Sequence, residues 1–268
     1  MKEIPGIDYI HDDTTKNAAV FFVNDLSDEL KQIIRDNLSK ISYGESIVSD
    51  DTNGYYNYKE TLRSFLENYN SKKTALQKGL IGELIANILL RYYIDDLECI
   101  SVSLNKEENQ VKKGYDIVYF DKTKNCIRYS EVKSGEKNQA QTASEKNYTL
   151  LYKSKTDIVA KFTDKRKKLW DSAIADAYLV IKDNTKQKFI ANLLQQDQMD
   201  NKRGKHKYSA ILISVLFCDI KNKLDFQKVC DFANTTTQAN LFDDVMVFSI
   251  QKSTYTKVVD FLKEESND

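Results

Sequence analysis

Two apolar runs, Tyr115–Phe120 and Cys126–Lys133, stand on either side of the five turn-forming residues Asp121-Lys122-Thr123-Lys124-Asn125. Strand formers separated by so short a polar turn leave few options other than an antiparallel hairpin. Side chains alternate faces along a strand. Glu131 and Lys133 therefore share one face near the end of the second strand, while Val132 points to the other. Asp116, within Gly114-Tyr115-Asp116, sits near the start of the first strand. Two carboxylates and a lysine gathered in this way make either a metal-ion site for phosphodiester chemistry or an ion cluster at a sheet edge.

The segment preceding the hairpin narrows the choice. Thr74 to Tyr93 reads as the most apolar helix of the chain. At about 100° per residue, Leu80, Ile81, Leu84, Ile85, Ile88, Leu89 and Tyr92 cover more than half of its circumference. Glu83 lies on the remaining face, a carboxylate on a helix with little surface to spare. A buried charge is expensive unless it is paired or bound to metal. Glu83 is expected either to pair with a neighbouring basic side chain or to supply a further metal-binding carboxylate.

Along the rest of the chain, strands are expected at Ala18–Val23, Glu98–Leu104, Tyr208–Cys218 and Asp244–Ile250. Helical spacing marks a helix beginning near Leu26, then Tyr58–Tyr69, Thr156–Ala177, Gln187–Met199, Leu224–Ala233 and Tyr255–Glu265. Residues 43–57 and 134–147 read as polar loops, and Tyr178–Ile181 as a helix end or a short strand. Helices interleaved with strands predict an α/β fold with a mixed central sheet. No boundary is visible, so the expectation is one domain over 1–268, with a core at about 74–185 and elaborations at 1–73 and 186–268.

Composition excludes several classes. The two histidines, and four cysteines without a CxxC pair, argue against a zinc site and for buried thiols of a cytoplasmic protein. No apolar run approaches the roughly 20 residues of a membrane span, and the first residues lack the pattern of a signal peptide. Lys+Arg and Asp+Glu both number 40, so affinity for nucleic acid must be local or borrowed from a partner.

Phosphodiester cleavage needs an activated water and stabilisation of developing negative charge. Mg²⁺, or Mn²⁺ in its place, does both when carboxylates hold it with positions left open. Asp116 and Glu131 are the main candidate ligands, with the Val132 carbonyl and Glu83 as further donors. Lys133 could orient or deprotonate the water, or neutralise charge on the phosphate.

The order of Glu83 on a helix, Gly114-Tyr115-Asp116, then Glu131-Val132-Lys133 resembles the PD-(D/E)xK nuclease superfamily. Tyr115 stands at the proline position, and fourteen residues separate Asp116 from Glu131. The resemblance covers residues 74 to 185 and implies a restriction-endonuclease-like αβββαβ core. At a finer level the chain is similar to the HamA-like nuclease subunits of Hachiman-type anti-phage defence systems. Its size, its Gly-Glu-containing apolar helix and the spacing to Gly-Tyr-Asp carry that likeness. The resemblance implies Mg²⁺-dependent cleavage of DNA, licensed by a HamB-like helicase subunit. A sequence-specific restriction enzyme would share this site, and a binding subunit could keep the fold without the activity.

Candidate DNA contacts lie in two basic stretches. One is the loop Asp200–Lys207, carrying Lys202, Arg203, Lys205 and Lys207; the other is Lys161–Lys168, carrying Lys165 and Arg166. The second is interrupted by Asp164 and is equally readable as a solvated helix face.

Overall fold

The computed structural model describes residues 3–103, 114–164 and 167–267. The chain opens with an antiparallel pair, β1 (Ile7–His11) and β2 (Ala18–Val23). Helix α1 (Asp28–Tyr43) starts where the Ser27 hydroxyl accepts the Leu30 N–H, and α2 (Glu45–Ser49) is one short turn after it. Asn57 caps α3 (Tyr58–Ser71) in the same way. Helix α4 (Thr74–Tyr93) has no side-chain cap at Lys73. Its stability comes from burial instead, with Ile81, Leu84, Leu89 and Leu90 fully enclosed.

Strands β3 (Leu97–Cys99), β4 (Ile117–Asp121) and β5 (Cys126–Glu136) form an antiparallel meander. Three helices follow: α5 (Ala143–Thr163), α6 (Lys167–Val180) and α7 (Asn184–Lys202). The chain then passes through β6 (Ser209–Phe217), α8 (Phe226–Gln238), β7 (Val245–Lys252) and α9 (Thr256–Asn267). All seven strands join one sheet in the order β1-β2-β7-β6-β5-β4-β3. The pairs β2–β7, β7–β6 and β6–β5 are parallel, so the middle of the sheet is parallel and both margins are antiparallel. Every residue of β6 is buried, as expected for a parallel strand covered on both sides. One face packs against α1, α3, α4 and α9. The other packs against α5, α6, α7 and α8. The fold is thus α/β with a mixed sheet between helical layers, consistent with a restriction-endonuclease-like core.

The order α4-β3-β4-β5-α5 matches the αβββα part of that core. Its final strand is β6, so the pattern closes at Phe217, beyond residue 185. Tyr178–Ile181 supplies no strand; it ends α6 and leads into the loop. The helix expected at Thr156–Ala177 is two helices, because Asp164 takes an extended ψ of 122° and ends the first. A continuous run of charged residues hides such a break from a periodicity argument. Helix α5 also starts earlier, at a capping box made by Thr142 and Glu145 inside the stretch read as loop. The short α2 likewise falls inside 43–57. β3 is shorter than its alternation suggested: after Ile100 the Ser101 hydroxyl, in place of backbone, accepts the Val118 N–H. Leu104 and the charged stretch to Lys113 lie outside the described residues. β1 was not anticipated; its mix of apolar and charged residues suits a half-exposed edge strand.

Candidate active site

The hairpin ladder ends at the Ile117–Ser130 pair. The Asp116 N–H still reaches the Ser130 carbonyl at 3.2 Å. One rung further, the Asp116 carboxylate takes over from backbone and accepts the Val132 N–H at 2.8 Å. A strand residue directs its N–H and C=O to the same edge, so the Val132 carbonyl opens toward Asp116 as well. The two strands part here, and the notch between them is lined by oxygen.

Glu131 faces the α5 side and is 3% exposed; Asp116 is 7% exposed. The Lys133 ammonium lies 2.7 Å from Glu131 Oε1 and 2.8 Å from Asp157 Oδ2. Lys161 bonds the other Glu131 oxygen and lies 3.5 Å from Asp116 Oδ1. Ser154 donates to the Glu131 carbonyl at 2.7 Å, which pins the strand to α5. Burial pushes the Glu131 carboxyl pKa up, and repulsion from Asp116 adds to it, against the pull of Lys161 and Lys133. Burial also works against the Lys133 ammonium, yet Glu131 and Asp157 outweigh it and hold its pKa above the ordinary lysine range. Two like charges are thus held together in a poorly solvated place and compensated by two ammonium groups.

Sequence reasoning placed Asp116, Glu131 and Lys133 here but did not bring Asp157 or Ser154 to them, and it took Lys161 only as part of a basic helix face. The signal was available, since Ser154, Asp157 and Lys161 recur at intervals of three and four, which puts them on one side of α5. Glu83 is half-buried on α4, whose apolar side covers the opposite face of the sheet. The helix lies close along β5: Lys78 pairs with Glu136 at 2.6 Å, and Gly82 sits against Ser134. A Cβ on Gly82 would overlap the Ser134 hydroxyl and come within 2.8 Å of Ser134 Cβ. Among the described residues no three His, Cys, Asp or Glu side chains converge as a metal-holding group. Two carboxylates and a carbonyl nonetheless fit a hard cation such as Mg²⁺ in kind, because that ion commonly takes one or two carboxylates and keeps water and phosphate as its other ligands.

Of the candidate nucleic-acid contacts, Lys165 and Arg166 lie outside the described residues. Lys202, Arg203, Lys205 and Lys207 are exposed, with Lys202 closing α7 and the others in the loop after it. Lys205 pairs with Asp243 at 3.1 Å, and Arg203 lies 3.7 Å from Asp200. The loop is fastened to the end of α5. Asn201 donates to the Phe162 carbonyl at 2.6 Å, and the His206 ring lies 3.3 Å from the same oxygen, one residue past Lys161. A cavity of about 460 Å³ opens between α5 and α8, lined by Tyr148, Lys155 and Phe232. It flanks a different side of α5 from the carboxylates, so cavity size does not mark this site.

No described helix is long and apolar enough to cross a membrane. No curated protein and no solved structure matches the chain. The model of the HamA family matches residues 6–265, from the first edge strand through the last helix. The chain therefore belongs to the HamA family, which makes it a component of a Hachiman anti-phage defence system.

Proposed function

We propose that the chain is a metal-dependent nuclease that hydrolyses phosphodiester bonds in DNA during anti-phage defence, working with a helicase subunit. The observation that carries this reading is the pair of buried carboxylates, Asp116 and Glu131, at the point where β4 and β5 separate. A site built only for stability would gain nothing from holding two like charges together away from water. Asp116, Glu131 and the Val132 carbonyl are the residues that would hold Mg²⁺ or Mn²⁺, with Glu83, next to the Gly82–Ser134 contact of α4 with β5, as a further donor. When bound, such an ion polarises the scissile phosphate and acidifies a water molecule.

The chain's own residues do the rest. Asp116, bonded to the Val132 N–H, has one oxygen fixed in position and the other turned to the notch. Lys133 shares the face of Glu131 and is steadied by Asp157, so its ammonium can orient the attacking water or neutralise charge on the phosphate. The loop carrying Lys202, Arg203, Lys205 and Lys207 is tied to the end of α5 and would run along the DNA backbone. With no net charge on the whole chain, a helicase partner would supply most of the affinity for DNA.

One observation favours a second reading. Both Glu131 oxygens already engage ammonium groups, as in a self-neutralised ion cluster of an inactive assembly subunit. Incubating the purified protein with supercoiled plasmid and Mg²⁺ or Mn²⁺, alone and with the helicase, separates the two. Nicking or degradation is expected, falling by about a thousandfold in Glu131→Ala and in Lys133→Ala while circular dichroism stays unchanged. Unaltered cutting in both variants would overturn the assignment, and discrete bands would identify a sequence-specific enzyme.

A further inference from the structure

The cation at the centre of the notch is one that the metal-site argument does not use. Lys161 spans both carboxylates, bonding Glu131 Oε2 and lying 3.5 Å from Asp116 Oδ1. That is the position a divalent ion shared by the two would compete for, since cation and ammonium seek the same oxygens. Two ammonium groups already face three carboxylates, those of Asp116, Glu131 and Asp157. An arriving ion of charge +2 therefore repels both unless one withdraws.

The geometry selects which one. Lys133 has a second partner in Asp157 at 2.8 Å and sits on the same strand as Glu131. Lys161 has no acidic partner among the described residues beyond the two carboxylates it bridges. It also stands in the last turn of α5, at the end of a flexible four-carbon stem. The next residue, Phe162, is buried and its carbonyl is held by Asn201 and His206. The helix end is therefore anchored, so a withdrawal of Lys161 would involve its side chain alone.

Resting on the metal-site reading above, we propose that Lys161 is a built-in counter-ion that closes the site until a divalent cation displaces it. The displaced ammonium then faces the DNA phosphate that the same site receives. Lys161 thus opposes metal binding and assists the turnover that follows. Removing it moves the two quantities in opposite directions, which a purely structural residue would not do.

Isothermal titration of the full-length protein with Mn²⁺ tests this, using wild type, Lys161→Met, Lys161→Arg and Glu131→Gln. Expected are binding about tenfold tighter in Lys161→Met, binding no tighter than wild type in Lys161→Arg, and loss of binding in Glu131→Gln. Plasmid nicking should fall in Lys161→Met despite the tighter metal. If melting shows Lys161→Met to be unfolded, Lys161→Gln takes its place. Lost binding in Glu131→Gln with equal or weaker binding in Lys161→Met would overturn the counter-ion role and leave the metal site standing. Binding in Glu131→Gln as strong as wild type would overturn the metal site, and the counter-ion role with it.

Discussion

The β4–β5 hairpin carries a cluster of buried charge at each end, and the two are built on opposite terms. At the turn end, Arg128 is 1% exposed and bonds Asp121 at 2.7 Å as well as Asp244, which Lys124 also reaches. Burial alone would push the Asp244 carboxyl up, but its bonds to Lys124 and Arg128 hold it below the ordinary carboxylate range. At the open end the balance tips the other way, and Glu131 stays raised by burial and by Asp116 despite two lysines. One cluster sets opposite charges against each other; the other holds two like charges together beside two lysines. The first closes a fold, and the second is the one that the proposed metal site would draw on.

That contrast breaks most easily at the turn end. Arg128→Ala strands the buried Asp121, leaves Asp244 with Lys124 alone and should cost about 3–5 kcal/mol in denaturant unfolding. Glu131→Gln relieves a like-charge contact and should leave unfolding nearly unchanged. Equal destabilisation by the two variants would erase the distinction.

Between the ends lies Asp197, which accepts a hydrogen bond from Tyr129 at 2.8 Å. Burial pushes its carboxyl up to about 6, against the Tyr129 bond and Lys205. A raised folded-state pKa means that the folded chain holds the proton more tightly than the unfolded one. Its contribution is complete below the unfolded value of 3.8 and is lost as pH rises through about 6. Across that window Asp197 should remove up to about 3 kcal/mol of stability. Asp197→Asn should flatten that slope in melts recorded from pH 4 to pH 7. An unchanged slope would place the pH dependence in the open-end cluster instead.

The smallest effect tests the packing behind the notch. Gly82→Ala forces α4 away from Ser134 and should destabilise by about 1–3 kcal/mol, with a modest loss of cutting. Gly79→Ala, which meets nothing within 4 Å, should be neutral or stabilising. If both behave alike, the close approach of α4 to β5 plays no part in shaping the site.

Much of this is legible in the sequence. The bounds of α4 follow from apolar spacing between Thr74 and Tyr93, and the hairpin from its turn residues. Local patterning sufficed because neighbours in the chain are neighbours in space there. The end of α5 was not legible, because Asp164 looks like any other charge in a basic helix until its backbone turns extended. The membership of β1 in the sheet was hidden for a related reason, since an edge strand buries too little to leave a clear alternation.

At the candidate site the division is sharper. By itself the sequence determined that Glu131 and Lys133 share a face, because strand periodicity is local and admits no other arrangement over two residues. It also determined that an acidic residue opens the preceding strand. Only the tertiary structure decided which cation answers those carboxylates. Lys161 arrives from thirty residues away on a helix whose docking depends on the whole sheet. The same packing sets α4 on the opposite face. Contacts of that range are chosen by how the helical layers cover the sheet, and no local pattern encodes them.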